Sequence, residues 1–246
     1  MPMRSTLSEA ATLVGREVAM QIQRRRGPSV VERNGVKVEI DDAWANDFMR
    51  DMIYSGWYEA HELGLLRDTL EPGDRYLEVG AGIGVLASAA CAIVGARNVV
   101  AVEANPRLVA VARHTARLNG HEPDVREGVV VAEGTTGATV PFYLRRDFWE
   151  SSMEPSPGAQ RVELPAIPLR AALDEVGATY LNMDAEGAET ELLREPLPQH
   201  VRRLCVELHP EAVGRAALSG MVKRLLDQGF ELDVGLSRSE VFYFAR

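Results

Sequence analysis

An open α/β fold with a largely parallel sheet is the architecture this sequence predicts, on three observations. From residue 74 onward, short β-branched runs alternate with helical patterns, as parallel βαβ units require. The run Tyr76-Leu77-Glu78-Val79 passes directly into Gly80-Ala81-Gly82-Ile83-Gly84 and then an apolar helix, so a strand feeds a glycine-rich turn. A second run, Val99-Val100-Ala101-Val102-Glu103, ends in a carboxylate about twenty residues after that turn.

Taken in order, the chain opens with Leu7, Ala11, Val14, Val18 and Ile22 at steps of three and four, an amphipathic helix that ends at Arg24-Arg25-Arg26 before Gly27-Pro28. Its apolar stripe suits packing on the chain's own domain, or on a second copy as a homodimer, better than packing on a membrane. After a strand-like piece at 36–40, Asp41-Asp42 can cap a helix with Trp44, Phe48 and Met52 on one face, and Gly56 ends it. A further helix over 58–70 stops at Pro72-Gly73-Asp74. Residues 1–71 are thus expected to form a helical N-terminal extension packing on a main domain of residues 72–246. Strands are expected at 76–79, 99–103, 125–130, 180–184, 204–207, 230–234 and 241–244. The apolar helix that follows the glycine-rich turn spans 83–94, and Asn105-Pro106 opens another that stops at Gly120. A hairpin-like piece at 140–144 interrupts the alternation, followed by a polar loop over 151–160 that is flanked by Phe148 and Trp149.

Composition narrows the function. Among 246 residues, 27 Lys and Arg face 36 Asp and Glu, a net charge of −9, whereas phosphate recognition normally needs a basic face, so a nucleic-acid partner is not expected. The apolar stretch at 85–96 is short of the roughly 20 residues that span a bilayer, and Glu9, Arg16 and Glu17 interrupt any secretory leader. Cys91 and Cys205 lie in apolar runs with no metal-type spacing, as buried reduced thiols do; the expected setting is cytoplasmic, with no membrane partner.

The glycines of the turn let a ligand approach the backbone, and the helix N-terminus favours polar groups. Gly82, Gly84 and Ala87 also satisfy GxGxxA, so glycine spacing alone does not separate a nicotinamide dinucleotide from S-adenosylmethionine. Glu78 separates them better: a carboxylate just before Gly80 suits a cationic amino-sulfonium end and sits badly beside a pyrophosphate. Glu103, with Ala104 beside it, stands where an acid accepts hydrogen bonds from ribose hydroxyls. An adenine ring would lie near Gly128-Val129. In Tyr180-Leu-Asn-Met-Asp-Ala-Glu-Gly-Ala-Glu189 a strand ends at Asp184, and Leu204-Cys-Val-Glu-Leu-His209 ends the next one. Ligands of open α/β sheets bind at the carboxyl ends of central strands, so Asp184, Glu186, Glu207 and His209 can converge there.

The ordered set EVGAGIG, VEANP, DAEGAE and VELHP resembles the FkbM family of S-adenosylmethionine-dependent methyltransferases over about residues 54–246. The resemblance implies the Rossmann-like class I methyltransferase fold, a seven-stranded sheet whose last strand is antiparallel. It implies that Glu78, Gly80, Ala81, Gly82 and Gly84 surround the methionine part of the cofactor and that Glu103 holds the ribose. It further implies O-methylation of a hydroxyl on a small molecule such as a natural product or saccharide. Family members often begin the loop with Asp, carry Asn where Gly82 stands, and have Lys where Asn182 stands.

An alcohol acceptor must lose a proton. His209, with an ordinary pKa near 6.5, is the natural base, and Asp184 or Glu186 can orient the hydroxyl or act in its place. No resident metal is expected, although these residue types also admit Mg²⁺. Two rival classes share part of the pattern. A nicotinamide-dependent oxidoreductase would use the same loop and acid, but Lys37 and Lys223, the only lysines, are poorly placed for a Ser-Tyr-Lys arrangement. A non-catalytic S-adenosylmethionine-binding module would need no polar acceptor site.

Overall fold

The computed structural model describes residues 29–246, together with Val18 and Gly27. The expected helix built on Leu7 to Ile22 lies outside the described residues apart from Val18. The chain divides into two compact units, Met1–Ala60 and His61–Arg246.

In the smaller unit β1 (Val30–Arg33) pairs with β2 (Val36–Glu39) as an antiparallel hairpin. Its turn is Asn34-Gly35, both left-handed, as the two-residue turns that match strand twist require. Helix α1 (Asp47–Ser55) is capped by Asn46, whose side chain accepts the Met49 N–H, and Gly56 ends it in the left-handed conformation. This corrects two expectations. Asp41 accepts the Ala43 N–H in a separate turn instead of capping the helix, and the buried face carries Met49 and Ile53 while Phe48 is exposed.

Helix α2 (Ala60–Thr69) leads into β3 (Tyr76–Val79), α3 (Val85–Val94), β4 (Val99–Glu103) and α4 (Pro106–Leu118), the last capped by Asn105 with Pro106 at its first position. Two short strands follow, β5 (Asp124–Glu127) and β6 (Val129–Val131), then β7 (Thr139–Leu144) and β8 (Gln160–Pro168). Helix α5 (Leu169–Val176), β9 (Tyr180–Met183), α6 (Glu189–Leu192), β10 (Arg203–Glu207), α7 (Pro210–Val213), α8 (Arg215–Asp227), β11 (Glu231–Leu232) and β12 (Val241–Ala245) complete the chain.

The main sheet has seven strands in the order β11-β12-β10-β9-β3-β4-β5, with β12 antiparallel to both its neighbours and the pairs among β10, β9, β3, β4 and β5 parallel. This is the Rossmann-like arrangement expected of a class I methyltransferase fold. Strands β3 and β4 are buried along their whole length and α3 is buried nearly all round, which is why both read as apolar runs. One face of the sheet packs Leu77, Val79, Leu181, Met183, Leu204 and Val206 into the principal core.

The run at 125–130 is not one strand. At Gly128 the chain leaves β5 for β6, which belongs to a separate three-stranded sheet in the order β6-β8-β7. A Cβ on Gly128 would meet Ile167 Cδ1 at 2.8 Å and the Pro165 carbonyl at 2.9 Å, so a side chain at the branch point would push β8 away. The hairpin-like piece at 140–144 finds its partner in β8, across the polar loop. The expected strand at 230–234 narrows to β11.

Below the sheet, at the start of β3, the buried Asp74 stitches three strands together. It accepts from the Glu71 N–H, the Thr179 hydroxyl at 2.7 Å and the Arg203 guanidinium at 2.7 and 2.9 Å. Cys91 and Cys205 are buried free thiols, as expected. Among the described residues no helix is long and apolar enough to cross a membrane.

Candidate functional site

The order of the sheet reverses at β3, between β4 on one side and β9 on the other, and a crevice for ligands opens beyond the carboxyl ends of strands at such a point. The glycine-rich turn is laced to these strand ends: the N–H groups of Gly80 and Ala81 both donate to the Val102 carbonyl, and Asp184 N–H donates to Val79. Gly80, Gly82 and Gly84 all have positive φ. Two of these glycines are demanded by protein contacts as well. A Cβ on Gly80 would lie 2.0 Å from the Asp184 carbonyl oxygen, and one on Gly84 would lie 2.7 Å from Ala112 Cα of α4.

Glu103, at the end of β4, is buried. Its Oε2 accepts the Gly82 N–H at 2.8 Å and its Oε1 the Asn105 N–H at 2.7 Å, so one carboxylate clamps the glycine turn to the cap of α4. A carboxylate has about four lone-pair sites, which leaves capacity for ligand hydroxyls. Burial pushes Glu103 up to about 7, against the pull of these backbone N–H groups and with some help from the charge of Asp184. Glu78 is fully buried in β3, in register with Asn182 of β9, and its charge helps raise the Cys91 thiol, already pushed up by burial, to about 12. Ala81 is wholly buried and Ala104 partly so. Gly128 donates its N–H to the Glu103 carbonyl, while the Val129 side chain packs into the core of the small sheet.

Four of the sequence-predicted acceptor-side residues come together. His209 Nε2 lies 3.6 Å from Asp184 Oδ1 and 3.4 Å from Glu186 Oε2. Glu207, two residues before His209, pairs with the Glu62 carboxyl and feels the charge of Asp184. Sequence reasoning missed Glu189 as a member: its side chain is fully buried, and its Oε1 accepts from His209 Nδ1 at 2.9 Å. The last letter of DAEGAE was the available signal. Phe148 and Trp149 sit edge to face, centroids 5.2 Å apart, in a short turn after β7.

Crowded carboxyls oppose one another's ionisation. Burial first, and neighbouring negative charges second, push Asp184 to about 6, Glu186 to about 7 and Glu207 to about 8. For His209 burial would lower the pKa, yet the bond to Glu189 and the charges of Asp184 and Glu186 raise it to about 9. The imidazole is thus held protonated at neutral pH, above the 6.5 at which an unperturbed ring titrates. On the acceptor side, Glu186 lies nearest neutrality. Asp184, Glu189 and His209 offer metal-type ligand atoms within 4.8 Å of one another, but the Glu189 oxygen that bonds the imidazole also accepts the Ala185 and Gly187 N–H groups. These contacts describe a hydrogen-bonded histidine–carboxylate cluster.

Residues 48–142 match the family model for protein-L-isoaspartate(D-aspartate) O-methyltransferase. The ribosomal protein L11 methyltransferase of Symbiobacterium thermophilum is 45% identical over 71 residues, 28% of this chain and 23% of that protein. Its namesake from Chloroflexus aurantiacus is 36% identical over 96 residues, 38% of this chain and 28% of that protein. The chain thus spans about a quarter of the length of the curated relatives it matches. Among solved structures, Aeropyrum pernix fibrillarin with natively bound S-adenosyl-L-methionine superposes with a TM-score of 0.45 at 15% identity, over 89% of this chain and 83% of that one. The family-model match takes in Glu78, the glycine turn and Glu103, and stops short of Asp184, Glu186 and His209.

Proposed function

We propose that the chain is an S-adenosylmethionine-dependent methyltransferase of FkbM type that O-methylates a hydroxyl of a small molecule. The observation that carries the reading is the gathering of carboxyls at the strand ends: Glu103, Asp184, Glu186 and Glu207 lie at or just past the ends of β4, β9 and β10, near Glu78 of β3, and these four are held above their ordinary pKa by burial and mutual repulsion. A cationic ligand relieves that repulsion, whereas the pyrophosphate of a nicotinamide dinucleotide adds to it. The family-model match, which spans the glycine turn, and the matches to two methyltransferases support the same cofactor.

S-adenosylmethionine supplies a methyl group already activated on a sulfonium. The chain's residues would do the rest: Glu103 would accept from the ribose hydroxyls, the backbone of Gly80, Ala81 and Gly82 would hold the methionine part, and the Gly128-Val129 backbone would hold the adenine. Glu186, with a pKa near 7 and a side chain 34% exposed, takes the proton of the acceptor hydroxyl. Asp184 accepts from that hydroxyl and orients it, and the imidazolium of His209 holds both carboxylates in place. Alignment and exclusion of water supply the remaining rate.

Incubation with methyl-labelled S-adenosylmethionine and panels of saccharide, phenol and amine acceptors tests the reading. Label should pass to hydroxyls, and exhaustive chelation should leave the rate unchanged; label found only on nitrogen would refute the O-methylation.

A further inference from the structure

We propose that Glu189 is a positioning residue that holds His209 by its Nδ1–H, turns Nε2 toward Asp184 and Glu186, and so sets the acceptor side of the crevice. The inference rests on the reading of that crevice as a methyl-transfer site, but its geometry stands by itself.

Acids are almost never fully buried unless paired. Glu189, the first residue of α6, has no exposed side-chain surface, whereas Glu191 on the same short helix is exposed. Its Oε1 gathers three donors: His209 Nδ1 at 2.9 Å and the N–H groups of Ala185 and Gly187 at 3.1 Å each. One atom thereby joins the turn after β9, which carries Asp184 and Glu186, to the segment between β10 and α7, which carries His209.

That turn needs holding. Glu186 has φ +49° and Gly187 φ +101°, two left-handed residues in succession, and a Cβ on Gly187 would meet Ala212 Cβ at 2.8 Å. By accepting on either side of Glu186, Glu189 keeps the Glu186 carboxylate at 3.4 Å from Nε2. With Nδ1 committed to Glu189, only Nε2 is left to face a ligand. The same logic, a carboxylate that fixes one ring nitrogen so that the other can act, governs histidines in many sites.

The test is nuclear magnetic resonance of the histidine rings in the full ¹⁵N-histidine-labelled chain, with His209 assigned from the signal lost in His209→Asn. The groups that face the ring are Glu189, Asp184 and Glu186, with Glu207 and Glu62 beyond them. In the wild type the neutral ring should carry its proton on Nδ1. In Glu189→Gln the titration midpoint of His209 should fall by about one pH unit or more, and Glu189→Asp should recover part of that fall. A neutral wild-type ring protonated on Nε2, or a folded Glu189→Gln with an unmoved midpoint, would overturn the proposal. Should Glu189→Gln not fold, the wild-type ring form decides. None of these readouts needs a cofactor or an acceptor, so a failure here is distinct from a failure of the methyltransferase reading.

Discussion

Gly84→Ala separates the two demands made on the glycine turn. Gly84 has φ 81° and ψ 25°, a left-handed conformation that costs an alanine about 1–2 kcal/mol. A Cβ there would also stand 2.7 Å from Ala112 Cα and 2.9 Å from the Ala112 carbonyl oxygen, backbone of α4 that cannot swing aside. Overpacking of that kind costs a further ~1–3 kcal/mol. Gly177 is the control: its φ 62° and ψ 40° are also left-handed, but the nearest atom to an added Cβ is the flexible Arg75 Nη1 at 3.3 Å. The two substitutions share the backbone term and differ in the clash, so Gly84→Ala should be less stable than Gly177→Ala by about 1–3 kcal/mol. For a domain of this size each kcal/mol moves the thermal midpoint by roughly 2–4 °C. Scanning calorimetry of the wild type and both variants should place Gly84→Ala about 2–12 °C below Gly177→Ala. Equal midpoints would show that α4 does not press on the turn as described.

The remaining predictions concern charge. Asp74→Ala leaves the Arg203 guanidinium without its buried partner and should cost about 3–5 kcal/mol, a drop of roughly 6–20 °C read by the same calorimetry; a drop of under about 2 °C would contradict the role given to Asp74. The folded chain holds protons on Glu103, Asp184, Glu186 and Glu207 up to about pH 6–8, and on His209 up to about pH 9, well above where the unfolded chain releases them. Each group thus stabilises the fold at low pH and loses that contribution as pH rises through its folded pKa, so the thermal midpoint should fall from pH 6 to pH 9; a flat or rising midpoint would refute the shifts. Glu189, held below the usual carboxylate range, acts with the opposite sign, and only in acid. Once an acceptor is in hand, Glu186→Gln should slow turnover by about 10²–10⁴ with cofactor affinity little changed. A loss below about tenfold would remove Glu186 as the base.

Local signals carried most of the main sheet. Strands β3 and β4 begin and end where their apolar runs do, and Asn105-Pro106 opens α4, because buried parallel strands and capped helices leave compact marks in the chain. Non-local pairing left weaker ones. The β-branched residues on both sides of Gly128 read as one strand, and only the approach of Ile167 and Pro165 from β8 splits them. Strand β8 leaves no clear strand signal, with Pro165 and Pro168 inside it and its partner β7 across a polar loop. Asn34-Gly35 is a compact hairpin signal, and β1 and β2 pair across it. At the candidate site, Asp184, Glu186, Glu207 and His209 were readable as strand-end residues. For Glu189 the last letter of DAEGAE is a weak signal, since acids in the first turn of a helix are common for reasons of capping and dipole alone. The raised pKa of His209 was equally hidden, because it arises from three carboxylates brought together by the fold.

The acid-rich crevice at the ends of β3, β4, β9 and β10 is the proposed seat of S-adenosylmethionine. Calorimetric titration with S-adenosylhomocysteine and, separately, with NADH and NADPH tests it most directly. Micromolar binding of S-adenosylhomocysteine, no binding of either nicotinamide, and a loss of about tenfold or more in Glu103→Ala, where charge-assisted hydrogen bonds to the ribose are removed, are the expected results. Binding of a nicotinamide in place of S-adenosylhomocysteine would contradict it.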